Sequence, residues 1–446
     1  MAETARPSPR NKKRAIALAG GGPVAGFHIG ALAALEECGV TFDVWSLSCI
    51  GAWVGIYYNQ LDDTEPKPQS RAARTYEFFK EHAFRDTASY RGFPVNKAFA
   101  PNLQAYTNAW LAHSLSPQTY WDVFNFARDL PGAAAGWWRY LTTPEMWLRE
   151  GDRNAHVLND ILAIHPMSRF LTSMAYLSGI NGLSNIYYKD STFLDDIKLE
   201  RLDVVGAANL DRMNRKQLME LAARHKDSGA PSAVPEIYHN AWPLTGPQHA
   251  AVKLQLFNNK WLEYWLGNKR KKRPEYLPIT RPSLCACSAL PYVEQTVKIP
   301  NDDDNEYSEG ALVDTVSFRN LVEDHPDLDE IWVCRIVDYG QLRLQKNLHD
   351  SLGNLCQQFA AEVGSNDVEL FKTHLRKSTG RTPRVVEIPL QTKTQINYRW
   401  DHENLAIGYA EGCRAVKELV RLHGDALTSP KTTAPAWPKA AHPAVS

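Results

Sequence analysis

The sequence predicts a three-layer α/β/α sandwich with a mainly parallel sheet (α/β class) and a large, mostly helical insertion. Two observations support this prediction. Residues 14–60 show the order strand, glycine-rich turn, helix, second strand, sharp turn and second helix. Strand patterns then return late in the chain, near 281–299 and over 331–337 and 384–389. Strands that alternate with helices are typical of a parallel sheet that helices cover on both faces.

Each element has its own residue pattern. The apolar run 14–19 precedes three glycines, which is typical of a buried strand. Apolar residues at helical spacing predict a helix over 26–38. A strand over 42–47 and a helix over 51–58 follow, and a helix over 402–423 closes the domain.

The chain is expected to form one main domain with flexible ends. Residues 1–13 are polar and predict a disordered lead, whereas 428–446 are rich in Pro, Ala and Thr and predict a flexible tail. The α/β domain is predicted to extend over 14–427. Within it, 60–276 is predicted to include a Trp-rich helical cap or insertion, because five of the 13 tryptophans are concentrated in one stretch of it.

Composition excludes several classes of function. Lys and Arg number 50 and Asp and Glu number 50, so the chain is neutral and no nucleic-acid partner is expected. No apolar run is long enough for a transmembrane helix, and the polar start does not predict a signal peptide. Seven cysteines are too few for a disulfide scaffold, which predicts reduced thiols and a cytoplasmic location.

The glycine-rich turn 18–26, LAGGGPVAG, has three competing interpretations. A dinucleotide fingerprint would place Ala25 at its last glycine position and use Asp43 as its acidic residue. An oxyanion hole would use backbone N–H groups at the start of the helix to stabilise developing negative charge. A tight turn without chemistry is the third interpretation. A phosphate loop is excluded, because Gly-Lys-Ser/Thr is absent.

Residues 47–52, LSCIGA, lie between the second strand and the second helix. In the Gly-x-Ser-x-Gly nucleophile elbow, small flanking residues permit a strained turn that exposes the central side chain. Here Gly51 is the second glycine, Cys49 takes the central position and Leu47 replaces the first glycine. A buried cysteine at a strand end is the alternative interpretation.

In combination, these motifs resemble the patatin-like phospholipase family. Residues 17–55 are similar to the opening of that family in the three glycines, in the His-Ile-Gly that follows them and in the elbow. Residues 281–300 are similar to a family strand that ends in a Ser-Ala-x-Pro turn. The segment 307–314 resembles the family's Asp-Gly-Gly/Ala motif.

The resemblance implies a dyad hydrolase of lipid acyl esters that has no catalytic histidine, no metal and no cofactor. Carried over position by position, the nucleophile is Cys49 and the proton acceptor is Glu309, with Asp314 as an alternative acid. Gly51 supports the elbow. The oxyanion hole is implied for the glycines of the turn, Gly20, Gly21 and Gly22.

The chain departs from the family pattern, because Cys49 replaces the serine and Glu309 replaces the aspartate. A cysteine remains a nucleophile, and the positive end of a helix dipole favours a thiolate. A glutamate keeps the carboxylate and reaches one methylene further. We therefore predict a hydrolase of lipid or other acyl esters. The alternatives are an acyltransferase or thioesterase that works through a thioacyl-enzyme, and a catalytically inactive lipid-binding pseudoenzyme.

The expected partners are a lipid or acyl-ester substrate and, in peripheral contact, a membrane or other lipid surface. The Trp-rich stretch 110–148 predicts either a contact with lipid or a packed helical cap. The basic run 269–273 follows aromatic residues and favours either anionic lipid heads or a solvated helix end. Cys285 and Cys287 lack the spacing of a zinc site and are expected to be small buried residues.

Overall fold

The structure is a computed structural model that describes the chain in segments. These are residues 12–61, 69–92, 96–115, 182–186, 192–202, 209–225, 234–266, 276–291, 293–316, 318–335, 339–342, 344, 346, 348–377, 382–388 and 399–427, with isolated helical positions between 117 and 138. The predictions for the two chain ends, for most of the Trp-rich stretch and for the basic run 269–273 lie outside the described residues.

The described strands and helices alternate along the chain. The strands are β1 Arg14–Leu18, β2 Val44–Leu47, β3 Ala100–Pro101, β4 Ser184–Asn185, β5 Glu236–Pro243, β6 Gln255–Asn258, β7 Tyr276–Pro278, β8 Val297–Ile299, β9 Asn305–Glu309, β10 Glu330–Cys334 and β11 Arg384–Ile388. The helices are α1 Ala25–Glu37, α2 Ile50–Gln60, α3 Arg71–His82, α4 Thr87–Gly92, α5 Leu103–Leu115, α6 Thr192–Asp195, α7 Arg215–Arg224, α8 Gly246–Ala250, α9 Trp261–Leu266, α10 Arg281–Cys287, α11 Phe318–Asp324, α12 Leu348–Lys377 and α13 His402–Leu427.

The described residues belong to two compact units. The first comprises 1–100, 186–290 and 296–446, and the second comprises 101–185 and 291–295. The main sheet and the predicted site belong to the first unit. Inside the second unit, backbone hydrogen bonds tie the segment around β4 to residues 291–295.

The main sheet of the first unit is mixed and mostly parallel. Its strand order is β11-β10-β1-β2-β5-β6-β7, and β9 pairs antiparallel with both β5 and β8. Leu18 of β1 lies opposite Leu47 of the parallel strand β2. The glycine-rich turn after β1 and the elbow after β2 therefore leave the sheet at the same edge, which is where α/β sheets carry their sites.

Helices cover both faces of the sheet, and the side chains of β1 show why. Ile16 and Leu18 pack in one core with α1, α2, α3 and α13. Ala15 and Ala17 pack in a second core with α7, α9 and α11. Because successive side chains of a strand point to opposite faces, a strand buried on both sides is apolar throughout. The predicted three-layer α/β/α architecture is confirmed.

One local prediction differs from the structure. The strand pattern near 281–299 predicts a strand at its start, but residues 281–287 form α10 and only β8 is a strand. A capping box causes this, because the side chains of Thr280 and Ser283 each accept a hydrogen bond from the other residue's N–H, and Pro282 lies in the first turn of the helix. In the range 60–276, which the sequence predicts to be mostly helical, the described residues form helices α3 to α9 together with strands β3 to β6.

Glycine residues let α1 and α13 pack with their backbones in contact. A Cβ atom on Gly30 would lie 1.9 Å from the carbonyl oxygen of Tyr409, and one on Gly412 would lie 2.1 Å from that of Phe27. On α1, Gly26 has the same role, since its Cβ would lie 2.3 Å from the oxygen of Leu405. This contact fixes the helix that begins at the glycine-rich turn.

We predict that Gly30→Ala destabilises the protein by about 3 kcal/mol or more, because the added methyl group forces two rigid backbones apart. Gly92→Ala is the matched control, since a Cβ atom there meets nothing within 4 Å, and its effect should stay within about 0.5 kcal/mol. The measurement is the free energy of unfolding in denaturant. Equal stability of the two variants would contradict the close packing.

Candidate active site

The turn between β2 and α2 holds Cys49 in a strained backbone conformation. Its φ and ψ angles are 49° and −123°, a combination that residues other than glycine rarely adopt. Holding such a residue there costs on the order of 1–3 kcal/mol, and such residues cluster at active sites. This strand-to-helix turn has the geometry of a nucleophile elbow, and the Cys49 side chain is 9% exposed.

Glycines allow α2 to begin in contact with the sheet. A Cβ atom on Gly51 would lie 2.2 Å from the carbonyl oxygen of Leu18, so a larger residue does not fit. Leu47 stands where the elbow motif has its first glycine, and its side chain is buried. A Cβ atom on Gly55 would lie 2.6 Å from Cδ2 of Leu47. Gly55 therefore provides the space that the leucine occupies.

The structure brings Cys49 and Glu309 together. Glu309 ends β9, where its N–H donates to the carbonyl oxygen of Ala289 (3.0 Å). Its buried carboxylate accepts a hydrogen bond from the Cys49 side chain. Burial raises the pKa of Glu309 to about 7, and the bond from Cys49 opposes this shift. A carboxyl group with that pKa can accept and return a proton at neutral pH.

The glycine-rich turn after β1 lies against this pair. A Cβ atom on Gly20 would lie 3.1 Å from the Cβ atom of Cys49 and 3.9 Å from Oε1 of Glu309. Gly21 and Gly22 follow with φ angles of 154° and 54°, which glycine adopts without strain. Their amides donate to no backbone or side-chain acceptor in the described part of the chain. The oxyanion role of the three glycines stays a prediction.

His28 holds the start of the glycine-rich turn by hydrogen bonds of its imidazole ring. Its Nε2 lies 2.8 Å from the carbonyl oxygen of Ala19, and its Nδ1 lies 3.1 Å from Sγ of Cys334. Burial lowers the pKa of His28 to about 4, so the ring is neutral at pH 7. A neutral ring donates from one nitrogen and accepts at the other, which matches a carbonyl oxygen on one side and a thiol on the other.

Asp314, the alternative acid, makes its described contacts elsewhere. Its Oδ1 accepts the N–H of Val316 (3.2 Å), and its carbonyl oxygen accepts from Nδ2 of Asn240 (2.8 Å). Burial and the charge of Asp314 raise the pKa of the Asp367 carboxyl to about 7. Glu309 is thus the acid whose contact with Cys49 the structure describes.

Cys287 is a neighbour of the elbow that sequence reasoning missed, because a cysteine near a predicted strand looks like an ordinary buried residue. The N–H of Cys49 donates to Sγ of Cys287 at 3.1 Å. Burial, with the Glu309 charge as a smaller contribution, raises the pKa of the Cys287 thiol to about 12. The adjacent Ser288 accepts a hydrogen bond from Nε1 of Trp53 (3.0 Å), which ties the end of α10 to α2.

Two further observations concern only the described residues. Within them, no three His, Cys, Asp or Glu side chains converge as ligands for a metal ion. None of the described helices is long and apolar enough to cross a membrane. The expectation that the chemistry needs neither metal nor cofactor stays a prediction.

Comparison with known proteins identifies the family. The profile described as "Patatin-like phospholipase" matches residues 16–322, a range that contains the glycine-rich turn, the elbow and Glu309. The chain belongs to the patatin-like phospholipase family. Patatin-like proteins are hydrolases that act on lipid substrates.

One solved structure similar to this patatin-like chain is that of VipD from Legionella pneumophila. The two chains are 11% identical, the TM-score is 0.32, and the match covers 93% of this chain and 67% of VipD. No curated protein matches the chain.

We predict that Cys49→Gly is more stable than Cys49→Ala by about 1 kcal/mol, because glycine relieves the strain at positive φ and this relief exceeds its greater entropy in the unfolded chain. The neighbouring buried residue gives the control: Ser48→Gly should be less stable than Ser48→Ala. Chemical denaturation of the four variants measures both differences. The same sign at both positions would show that the patatin-like elbow holds no strain.

Proposed function

We propose that this patatin-like protein hydrolyses acyl esters of lipids through a dyad of Cys49 and Glu309. The observation that carries the proposal is the hydrogen bond from the side chain of Cys49, on its strained turn, to the buried carboxylate of Glu309. A nucleophile within hydrogen-bond reach of its base is the arrangement that covalent acyl transfer requires. The lipid substrates of the family supply the acyl ester.

In the proposed first half-reaction, Glu309 takes the thiol proton as the Cys49 sulfur attacks the ester carbonyl. The carbonyl oxygen becomes an oxyanion, which the amides of the glycine-rich turn stabilise at the start of α1. The tetrahedral intermediate then collapses, the C–O bond breaks, and Glu309 returns the proton to the leaving alcohol. A thioacyl-enzyme on Cys49 remains.

In the proposed second half-reaction, Glu309 takes a proton from water, which attacks the thioester carbonyl. Collapse of this intermediate breaks the C–S bond, releases the fatty acid and returns the proton to the Cys49 sulfur. An alcohol or another nucleophile in the place of water would make the protein an acyltransferase. The dyad does not need a histidine, because a thiol needs less help from a base than a hydroxyl does and burial has already raised the proton affinity of Glu309.

Peripheral contact with a lipid surface belongs to the same proposal. The helix α5, LQAYTNAWLAHSL, contains no Asp, Glu, Lys or Arg. Leu103, Trp110 and Leu115 on it are exposed, and tryptophan favours the boundary between lipid and water. These residues support a lipid contact in the second unit. The cytoplasmic location stays a prediction.

We predict that incubation with a p-nitrophenyl acyl ester adds one acyl group to the intact mass of the protein and that Cys49→Ala abolishes both this adduct and turnover. Glu309→Gln should lower turnover by about 10³-fold, because it removes the proton acceptor. Asp314→Asn is the matched control and should retain turnover. Added alcohol distinguishes transfer from hydrolysis, since only a transferase forms the new ester.

Two results would contradict this proposal. The first is the absence of adduct and turnover for esters of several chain lengths in a folded protein, which would favour a lipid-binding pseudoenzyme. The second is loss of turnover in Asp314→Asn but not in Glu309→Gln, which would identify Asp314 as the base. A gain of ester hydrolysis in Cys49→Ser would show an intact site in which the sulfur sets the reactivity.

We predict that kcat/KM rises with pH and levels off above about 7, because Glu309 must lose its proton to act as a base and its pKa is about 7. Stability should change in the opposite direction. The folded pKa lies above the ordinary value of 4.5, so stability present below that value is lost as pH rises through about 7. The measurements are kcat/KM and the free energy of unfolding as functions of pH, for the unaltered protein and for Glu309→Gln. The variant should lack both pH transitions, and their persistence in it would exclude Glu309 as their source.

A further inference from the structure

Two thiols adjoin each other at the start of α2. Sγ of Cys287 lies 3.1 Å from the backbone nitrogen of Cys49, which places it within about 5 Å of the Cys49 Cα atom, given an N–Cα bond of about 1.5 Å. The sulfur of Cys287 therefore lies next to the residue that carries the elbow thiol, and rotation of the Cys49 side chain about its Cα–Cβ bond changes the distance between the two sulfurs.

The surrounding structure holds the two cysteines in this relation. Cys49 caps the start of α2, and Cys287 is the last residue of α10. One turn into α2, Nε1 of Trp53 donates to Oγ of Ser288, the residue after Cys287. The two helix ends that would carry a disulfide are therefore already tied together by this hydrogen bond.

Other cysteines have different described partners. Sγ of Cys334 lies 3.1 Å from Nδ1 of His28, and Sγ of Cys413 donates to the carbonyl oxygen of Gly30 at 3.1 Å. The sulfur of Cys287 accepts a hydrogen bond from the elbow, at the N–H of Cys49.

The two sulfurs differ in access. Cys49 is 9% exposed and its side chain is hydrogen-bonded to Glu309, whereas Cys287 is fully buried. A small oxidant from solvent therefore meets Cys49 first, and Cys287 can react only with what forms on Cys49. Redox-sensitive cysteines often have a resolving cysteine next to them in this way.

We propose that Cys49 is a site of reversible oxidation by hydroperoxides and that Cys287 resolves the product as a Cys49–Cys287 disulfide. This inference rests on the reactivity of Cys49 in the proposed function, although it does not require ester turnover. Serine at the elbow would not respond to peroxide, so the cysteine gives this site a control that a Ser dyad lacks.

The oxidation balances in two steps. The Cys49 sulfur attacks the outer oxygen of the hydroperoxide, an S–O bond forms, and the O–O bond breaks. The thiol proton, carried by Glu309, leaves with the alcohol or water that is released, and Cys49 becomes a sulfenic acid. The Cys287 sulfur then attacks the Cys49 sulfur, the S–O bond breaks, and water leaves with the Cys287 proton. A dithiol reductant restores both thiols by exchange.

The test is treatment of the full chain with hydrogen peroxide, followed by alkylation of free thiols under denaturing conditions and peptide mass spectrometry. We expect a peptide pair linked through Cys49 and Cys287, loss of at least 90% of any ester turnover, and recovery of both thiols with a dithiol. In Cys287→Ser, Cys49 should stop at a sulfenic acid that dimedone traps, and prolonged peroxide should make the oxidation irreversible to dithiol. Cys285→Ser, on the same helix, is the control and should form the disulfide.

The outcomes separate this inference from the proposed function. Oxidation of Cys49 with no link to Cys287, or reversal in Cys287→Ser equal to that of the unaltered protein, overturns the inference even if esters are cleaved. A Cys49–Cys287 disulfide in a protein without ester turnover supports the inference and contradicts the hydrolase. Circular dichroism of each variant establishes that the comparison is between folded proteins.

Discussion

The backbone of Cys49 is the constraint on which the whole site depends. A residue other than glycine keeps a φ angle of 49° only where its surroundings over-determine it. Two close approaches do so here, that of Gly51 to the carbonyl oxygen of Leu18 and that of Gly20 to the Cβ atom of Cys49. Both Leu18 and Gly20 belong to β1 or its turn. The parallel pairing of β1 with β2 therefore holds the elbow and the glycine-rich turn in one place.

Burial then determines the electrostatics around that elbow. It raises the pKa of Glu309 to about 7, which makes the carboxyl group both an acceptor and a donor of protons at neutral pH. It lowers the pKa of His28 to about 4, so this ring holds the glycine-rich turn by hydrogen bonds and not by charge. Burial in low-polarity surroundings thus brings the pKa of Glu309 close to neutral pH and keeps the His28 ring uncharged.

In the proposed reaction, a sulfur nucleophile gives this elbow properties that an oxygen nucleophile lacks. The thiol needs a weaker base, which is consistent with a single buried carboxylate at Glu309. The thiol is also open to oxidation, and the structure places a second sulfur, that of Cys287, on the N–H of the first. In the proposed oxidation the two cysteines act together, because Cys49 is the sulfur that is oxidised and Cys287 is the sulfur that resolves the product.

The sequence by itself determined the strand, turn and helix order of residues 14–60 and singled out Cys49, because apolar periodicity and glycine positions are local patterns. Through a family resemblance it also named Glu309 as the acid, with Asp314 as the alternative. Only the tertiary structure brings Glu309 into contact with Cys49, because the antiparallel pairing of β9 with β5 carries Glu309 to the elbow. It also revealed the helix α10 and with it Cys287. Contacts between residues far apart in the chain depend on strand order and packing, which no local pattern records.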